Sequence, residues 1–492
     1  MSLAPESDRS LRRGRIGVFG IVFFVVAASA PLVGMTGAVP VAIALGNGAA
    51  VAGAYLAVGI VLLLFSVGYA AMSQRVTNTG AFFAYVGRGL GRDSGVASSF
   101  VSILAYQAVQ LAIYGFFGGL MELQLGVMPW WAWALVAWLL VTGLSLLSVD
   151  VGAKLLGVLL TLELAALVIT GIVILVNGGP EGLDWGASFA PQNILVGGLT
   201  GTAGIAFAFA FASFIGFEAT AIYGEESKDP KRVVPVATYL AVATITVVFA
   251  LVSFAVVTGM GASGVIDRTL ELSAGLEDPA AVLFALAADY VGPWMATVMS
   301  VLVLTSLFAG LLAFQNAASR YWFALGRGGV LPSSLGTVNK PGAPMRASIL
   351  TSVIAAVVIA IFAIVGFDGI GHMFFWFSGL AVLAIVLMEI LVCIAVIVYF
   401  RRNRGDENVF QTIIAPVLAL IGLVVGEYLL MSRFGLLAGT VLPDVDPTVQ
   451  AWGLDALGWV LVLLPFALLV IGFVLAKLRK NVNEDLLKDI VS

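Results

Sequence analysis

The stretch Phe207-Ala-Phe-Ala-Phe-Ala-Ser-Phe-Ile-Gly-Phe-Glu218 begins as an apolar helix and then places a glycine, Gly216, and a carboxylate, Glu218, at mid-depth of a bilayer. A charged group there costs about 2.5–3.5 kcal/mol on insertion scales, so it marks a functional site by default. The neighbouring glycine lets the helix unwind, which is tolerated at that depth only where the backbone lines a cavity or lies buried in protein. The segment predicts a broken helix around a small-molecule site. Of the 28 acidic residues, four fall inside apolar spans: Glu163, Glu218, Glu389 and Glu427. The first two are candidates for ion coupling; the last two fit pairing with a neighbouring helix or reaching toward an interface. Tyr106, Gln107, Gln110 and Tyr114 add polar groups, with Tyr106 and Gln110 one helical turn apart and on the face of Tyr114. Buried amides need partners, so these either bind substrate or tie helices together.

The elements that position these groups must be membrane helices. Of the 492 residues 61% are hydrophobic and 11% charged, with a mean hydropathy of +1.08, far from the roughly 45–50% apolar and 25% charged usage of soluble domains. A single cysteine, Cys393, excludes an internal disulfide and a thiolate cluster. A single histidine, His372, excludes multi-histidine haem or copper ligation. No G-x-x-x-x-G-K-[ST] loop is present, and Gly87-Arg-Gly-Leu-Gly91 reads as a cytoplasmic turn because it follows no strand. Arg12, Arg13 and Arg15 ahead of an apolar run ending Ala28-Ser-Ala30 imitate a signal peptide, but Pro31 blocks cleavage and the apolar character continues to about Leu45. The expectation is an uncleaved first helix.

Apolar runs long enough to cross hydrocarbon, roughly 20 residues each, fall at 16–45, 48–72, 95–120, 129–148, 155–177, 199–223, 235–259, 293–320, 347–366, 373–400, 410–431 and 456–476. With both termini in the cytoplasm, only Arg268 and Arg433 of the 24 lysines and arginines fall on the outer face, as the positive-inside rule requires. The first span contains Pro31, Gly34, Gly37 and Pro40 and should be discontinuous. Spans 1 and 6 are both interrupted and sit five helices apart, the pattern of an inverted repeat with a midplane site.

Ser213-Phe-Ile-Gly-Phe-Glu218, followed by Glu225-Glu-Ser-Lys-Asp-Pro-Lys-Arg-Val-Val-Pro235, resembles the sixth helix and following loop of amino acid–polyamine–organocation permeases. Asn316-Ala-Ala-Ser-Arg320, Gly326-Arg-Gly-Gly-Val-Leu-Pro332 and Lys340-Pro-Gly-Ala-Pro344 resemble that family's eighth helix and loop, and Thr79-Gly-Ala-Phe-Phe-Ala-Tyr85 is a third match. The similarity runs over about residues 15–400. It implies an all-α integral membrane protein of LeuT type: twelve transmembrane helices, a 5+5 inverted repeat with helices 1 and 6 broken, and two additional C-terminal helices. The divisions are then a cytoplasmic tail (1–15), a first repeat (16–177), an extracellular loop (178–198), a second repeat (199–400), a cytoplasmic linker (401–408), helices 11 and 12 (409–477) and a short amphipathic tail (478–492). Ser29-Ala-Pro-Leu-Val-Gly-Met-Thr-Gly37 departs from the family's G-x-G-like first break, and Arg327-Gly-Gly-Val-Leu-Pro332 lacks its usual acidic residue.

Half-helix N-termini suit a carboxylate and half-helix C-termini suit an ammonium group, so a zwitterionic amino acid or related amine matches two breaks. Ala30, Pro31, Val33, Gly34 and Met35 at the first break and Phe211, Phe214, Ile215, Gly216 and Phe217 at the second are the candidate binding residues, with Tyr106 and Gln110; Phe211 or Phe214 is the candidate gate. Through the resemblance, Glu163 falls near where some relatives place a lysine in the sodium position of sodium-coupled cousins. In that low-dielectric setting, protonation of a carboxylate is a reachable event. Thr305 and Ser306 resemble the hydroxyl ligands of the sodium site, and hard cations favour oxygen, although hydroxyls in membrane helices often bond their own backbone. Proton coupling through Glu163, Glu218 or both comes first, sodium second, uncoupled exchange or polyamine transport beyond that. No cofactor is expected beyond the driving gradient. The expected partners are the small-molecule substrate and the lipid of the plasma membrane, not nucleic acid, and no oligomeric state follows from the sequence. A membrane-embedded enzyme or redox subunit is disfavoured, because the chain lacks the His, Cys and Asp clusters that metal or proton-relay chemistry requires; a non-transporting sensor or channel of the same fold is a third reading.

Overall fold

The computed structural model describes residues 17–76, 81–146, 153–221, 227–339, 342–403 and 405–478. The N-terminal tail, Thr79 and Gly80, the Gly224-Glu-Glu226 start of the loop motif, Lys340 and Pro341, Arg404 of the linker and the tail beyond Leu478 lie outside them. The described residues form helices and no β-strand; one antiparallel bridge joins Val441 and Leu454.

Ten of the described helical stretches are long and apolar enough to cross a membrane. One of them, Pro31–Arg75, turns sharply within itself: the backbone leaves helical geometry at Gly46 (φ −105°, ψ −110°) and Gly48 (φ +57°). Two shorter apolar helices, Trp130–Ser145 and Ala280–Tyr290, add to these. The outer surface carries Ile60, Leu139, Ile172, Val247, Val301, Ile361, Val424 and Leu463, all exposed. In water so many exposed apolar side chains would drive aggregation; in a bilayer they are the lipid contact. The interior packs the Val51–Arg75 helix against Pro230–Met260, and the long Arg92–Leu125 helix against Phe375–Arg402 and Pro293–Arg327.

Shorter elements escaped the span pattern because they do not cross. Ala81–Leu90 is a helix with Phe82–Val86 buried, so Gly87-Arg-Gly-Leu-Gly91 is the last turn of a helix, and the chain reverses only at Gly91 (φ +99°). The loop at 178–198 contains the Trp185–Phe189 helix, capped by the Asp184 carboxylate, which accepts from Ala187 N–H at 2.8 Å. In the linker, the Glu407 carboxylate accepts from Arg75 Nε at 2.7 Å and Nη2 at 2.9 Å, and this guanidinium holds the Glu407 carboxyl below its usual range.

Arg433, 3% exposed near the end of the Ala415–Ala438 helix, is a carbonyl clamp. Its guanidinium donates to Gly201 O at 3.2 Å, Pro447 O at 2.7 Å and Val449 O at 3.4 Å, and also to Thr200 O. Methionine would keep the length and lose every donor, leaving carbonyls of two loops unpaired. Hydrogen bonds to charged groups contribute about 1.5–3 kcal/mol each and are not additive, so Arg433→Met is expected to cost about 2–4 kcal/mol. Thermal unfolding of the detergent-solubilised variant checks this, and an unshifted midpoint would refute the clamp.

Candidate functional site

The first interruption follows from Ala30-Pro31. A proline disfavours the α region for the residue before it and lacks an N–H of its own. Ala30 accordingly sits at φ +43°, ψ 69°, ending the Val18–Ser29 helix, and a new helical run starts at Pro31. That start exposes an amide with no helical carbonyl to meet it. Leu32 N–H donates instead to Glu163 Oε1 at 2.5 Å, 131 residues away on the Ala153–Asn177 helix. Glu163 is 4% exposed. The Ser306 hydroxyl, on the Pro293–Arg327 helix, faces the same carboxylate but meets no partner at hydrogen-bond geometry among the described residues. Thr305 turns away and bonds Leu302 O of its own helix at 2.9 Å.

The second interruption has the same logic. The Ala203–Phe214 helix stops at Ile215 (ψ 129°); Gly216 takes φ +116°, ψ −23°, open to glycine and strained for any other residue; Phe217–Thr220 then winds as a 3₁₀ turn. The freed Gly216 N–H donates to Glu218 Oε2 at 2.9 Å, and Tyr106 O–H donates to Glu218 Oε1 at 2.7 Å. Tyr69 O–H donates to the Glu218 carbonyl at 2.6 Å. Each break thus hands its orphan amide to a buried carboxylate of the chain itself. The two breaks interlock: a Cβ placed on Gly216 would stand 2.8 Å from Ala28 Cβ.

A cavity of about 70 Å³ opens at this junction. Ala30, Val33 and Gly34 from the first break and Ile215 from the second are on its wall, together with Ala212 and Ser213. The remaining sequence candidates face elsewhere. Met35 packs toward Ser253, whose hydroxyl points at its sulfur; Phe211 packs against Gly426; Phe214 meets Phe249 edge-on at 6.0 Å and Phe217 meets Phe65 at 5.8 Å. Pro31, which starts the new helical run, and Gly216, the joint of the second break, are not on the wall. Three aromatic rings that the sequence did not single out for the site, Phe209, Phe314 and Phe374, do line it, with Val109, Ala112 and Ile113 of the Arg92–Leu125 helix. Phe209 belonged to the visible 207-209-211 alternation. Phe374 ends a wide π-helical turn at Gly369–Phe374, of a kind often found at functional sites, for which no simple sequence signal exists.

Tyr106 serves the site through Glu218. Gln110 stitches helices: its Nε2 donates to Gln315 Oε1 at 2.6 Å, and Gln315 Nε2 donates to Ser348 O and Ser352 Oγ, both at 2.9 Å. Thr142 and Ser145 join the same network through Ser352 and Ser348. Glu389 and Glu427 stay buried rather than reaching an interface, and neither oxygen of Glu427 finds a donor among the described residues.

A cavity between interrupted helices inside an apolar bundle is the site architecture of membrane proteins that carry small molecules. Residues 20–464 match the amino acid permease family, and the chain belongs to that family. It is similar to an uncharacterized transporter of Legionella pneumophila, 24% identical over 286 residues, 58% of each chain. That match therefore spans little more than half of the relative's length. An uncharacterized transporter of Mycobacterium tuberculosis is 25% identical over 75% of this chain and 78% of its own. The aromatic amino acid transport protein AroP of Escherichia coli K12 is 24% identical over 72% and 75%. The chain is a multi-pass membrane protein of this family.

Proposed function

We propose that this permease is a secondary active transporter that carries an amino acid across the plasma membrane by alternating access, with a proton as the coupling ion. The observation that carries this reading is the Glu163 carboxylate seated on the Leu32 amide, at the half-helix start that best suits a substrate carboxylate. An ionised Glu163 and an incoming carboxylate compete for the same end of the helix. Protonation weakens Glu163 as an acceptor and frees the amide, so proton and substrate bind together. Glu218 plays the corresponding part at the second break, where it holds Gly216.

Twelve crossings follow if the bend at Gly46 and Gly48 divides Pro31–Arg75 in two and the 16-residue Trp130–Ser145 helix also spans. On that count the interruptions at Ala30 and Gly216 fall in crossings 1 and 6, supporting a LeuT-type 5+5 repeat with two further helices. The charge distribution supports cytoplasmic termini. Sodium is the second reading, favoured by the unpartnered Ser306 hydroxyl beside Glu163, an oxygen pair suited to a hard cation.

The test is uptake of labelled amino acids into proteoliposomes under an inward proton gradient, an inward sodium gradient or neither. Accumulation with the proton gradient alone is expected. Accumulation with sodium alone selects the second reading, and no uptake of any amino acid rejects transport of this substrate class.

A further inference from the structure

We propose that the substrate is a neutral amino acid with an apolar side chain, branched aliphatic or aromatic, and that Phe209, Phe314 and Phe374 set this preference. The inference rests on the transport reading above and narrows it to a chemical class. Among the described residues, the cavity wall between the breaks carries no ionisable side chain. Its hydroxyls are largely committed: Ser29 bonds Val26 O at 2.8 Å, and Ser213 bonds Phe209 O at 2.8 Å and meets Tyr55 Oη at 3.0 Å. Glu163 and Glu218 are not among its lining residues and instead hold backbone amides. A lysine, arginine or polyamine chain entering this space would shed its hydration and find no counter-charge, a cost that burial of an unpaired charge makes prohibitive. An apolar chain gains from the same wall by leaving water.

The rings are held in place from behind. Phe374 stacks on Phe116 with centroids 4.7 Å apart and planes 20° apart. Phe314 leans on Tyr106 at 6.0 Å, the residue that donates to Glu218. Phe374 is the last residue of the wide turn at Gly369–Phe374.

The experiment uses the full chain in detergent and in proteoliposomes. Thermal stabilisation by each of leucine, valine, phenylalanine, serine, lysine, arginine, glutamate and putrescine is measured, followed by direct uptake of labelled leucine, phenylalanine and lysine. Leucine or phenylalanine is expected to bind about 100-fold more tightly than lysine or putrescine. Phe374→Ala, which enlarges the cavity, is expected to shift the ratio of phenylalanine to valine affinity by about tenfold in favour of phenylalanine; an unchanged ratio in the folded variant would remove Phe374 from the proposal. Lysine or putrescine binding as tightly as leucine in the unaltered protein overturns the apolar assignment while leaving amino acid transport intact. If no member of the panel stabilises the protein or enters, the transport reading fails and this inference with it.

Discussion

Glu163→Gln is expected to reduce proton-driven accumulation to simple equilibration. A glutamine at this position has nearly the same shape, and its carbonyl oxygen can still accept from Leu32 N–H as the Glu163 carboxylate does at 2.5 Å. The break at Ala30 therefore stays capped. What disappears is the ability to bind and release a proton. One coupled proton and a gradient of one pH unit store about 1.4 kcal/mol, roughly tenfold accumulation, and the variant should lose all of it. Substrate counterflow, which needs no net proton movement, should continue at a measurable rate and report a folded protein. Linkage supplies a second readout. If substrate displaces the ionised carboxylate from the helix start, substrate binding favours proton uptake, so affinity in the unaltered protein must tighten as pH falls. In Glu163→Gln that slope should be flat. Unchanged accumulation, or a slope of opposite sign, removes Glu163 from the coupling step.

Gly216→Ala is expected to lower uptake at least about 100-fold, the scale of a displacement near 1 Å at a working site. Two costs combine. An alanine at φ +116° is strained, by about 1–3 kcal/mol. Its methyl group would also lie 2.8 Å from Ala28 Cβ, so the first half-helix must move away from the second. Glu218 would then lose its grip on the amide at position 216, the contact that fixes the second break. Ala28→Gly in the same chain relieves the collision but not the strain, and costs about 1 kcal/mol of helix propensity itself. Partial rescue of uptake by this double variant, beyond the sum of the single effects, would demonstrate the interlock. Full activity of Gly216→Ala would show that the two breaks do not depend on this contact.

Both interruptions were readable from the chain because their causes are local. Pro31 forbids continuation of the first helix, and Gly216 beside Glu218 announces the second. The joint in the first helix is nevertheless Ala30 rather than Gly34, because the proline acts on the residue before it and Gly34 stays helical (φ −58°, ψ −43°). The wall of the cavity was much less legible. Phe209 and Phe211 are two residues apart, about 200° around a helix, so one faces the cavity when the other faces Gly426. Composition assigns no preference between them; only the packing of the Ala415–Ala438 helix does. The same holds for Gln110, whose commitment to Gln315 depends on a partner 205 residues away, and for Leu32, an unremarkable residue in sequence whose amide matters only because Glu163 arrives from another helix.

Ala30 is an alanine in a left-handed conformation, which costs about 1–2 kcal/mol relative to right-handed alternatives. The following proline leaves it few other resting places, chiefly an extended one. The first half-helix consequently cannot swing through a continuum of angles. Any change of its angle at this joint must carry Ala30 from the left-handed region to the extended one.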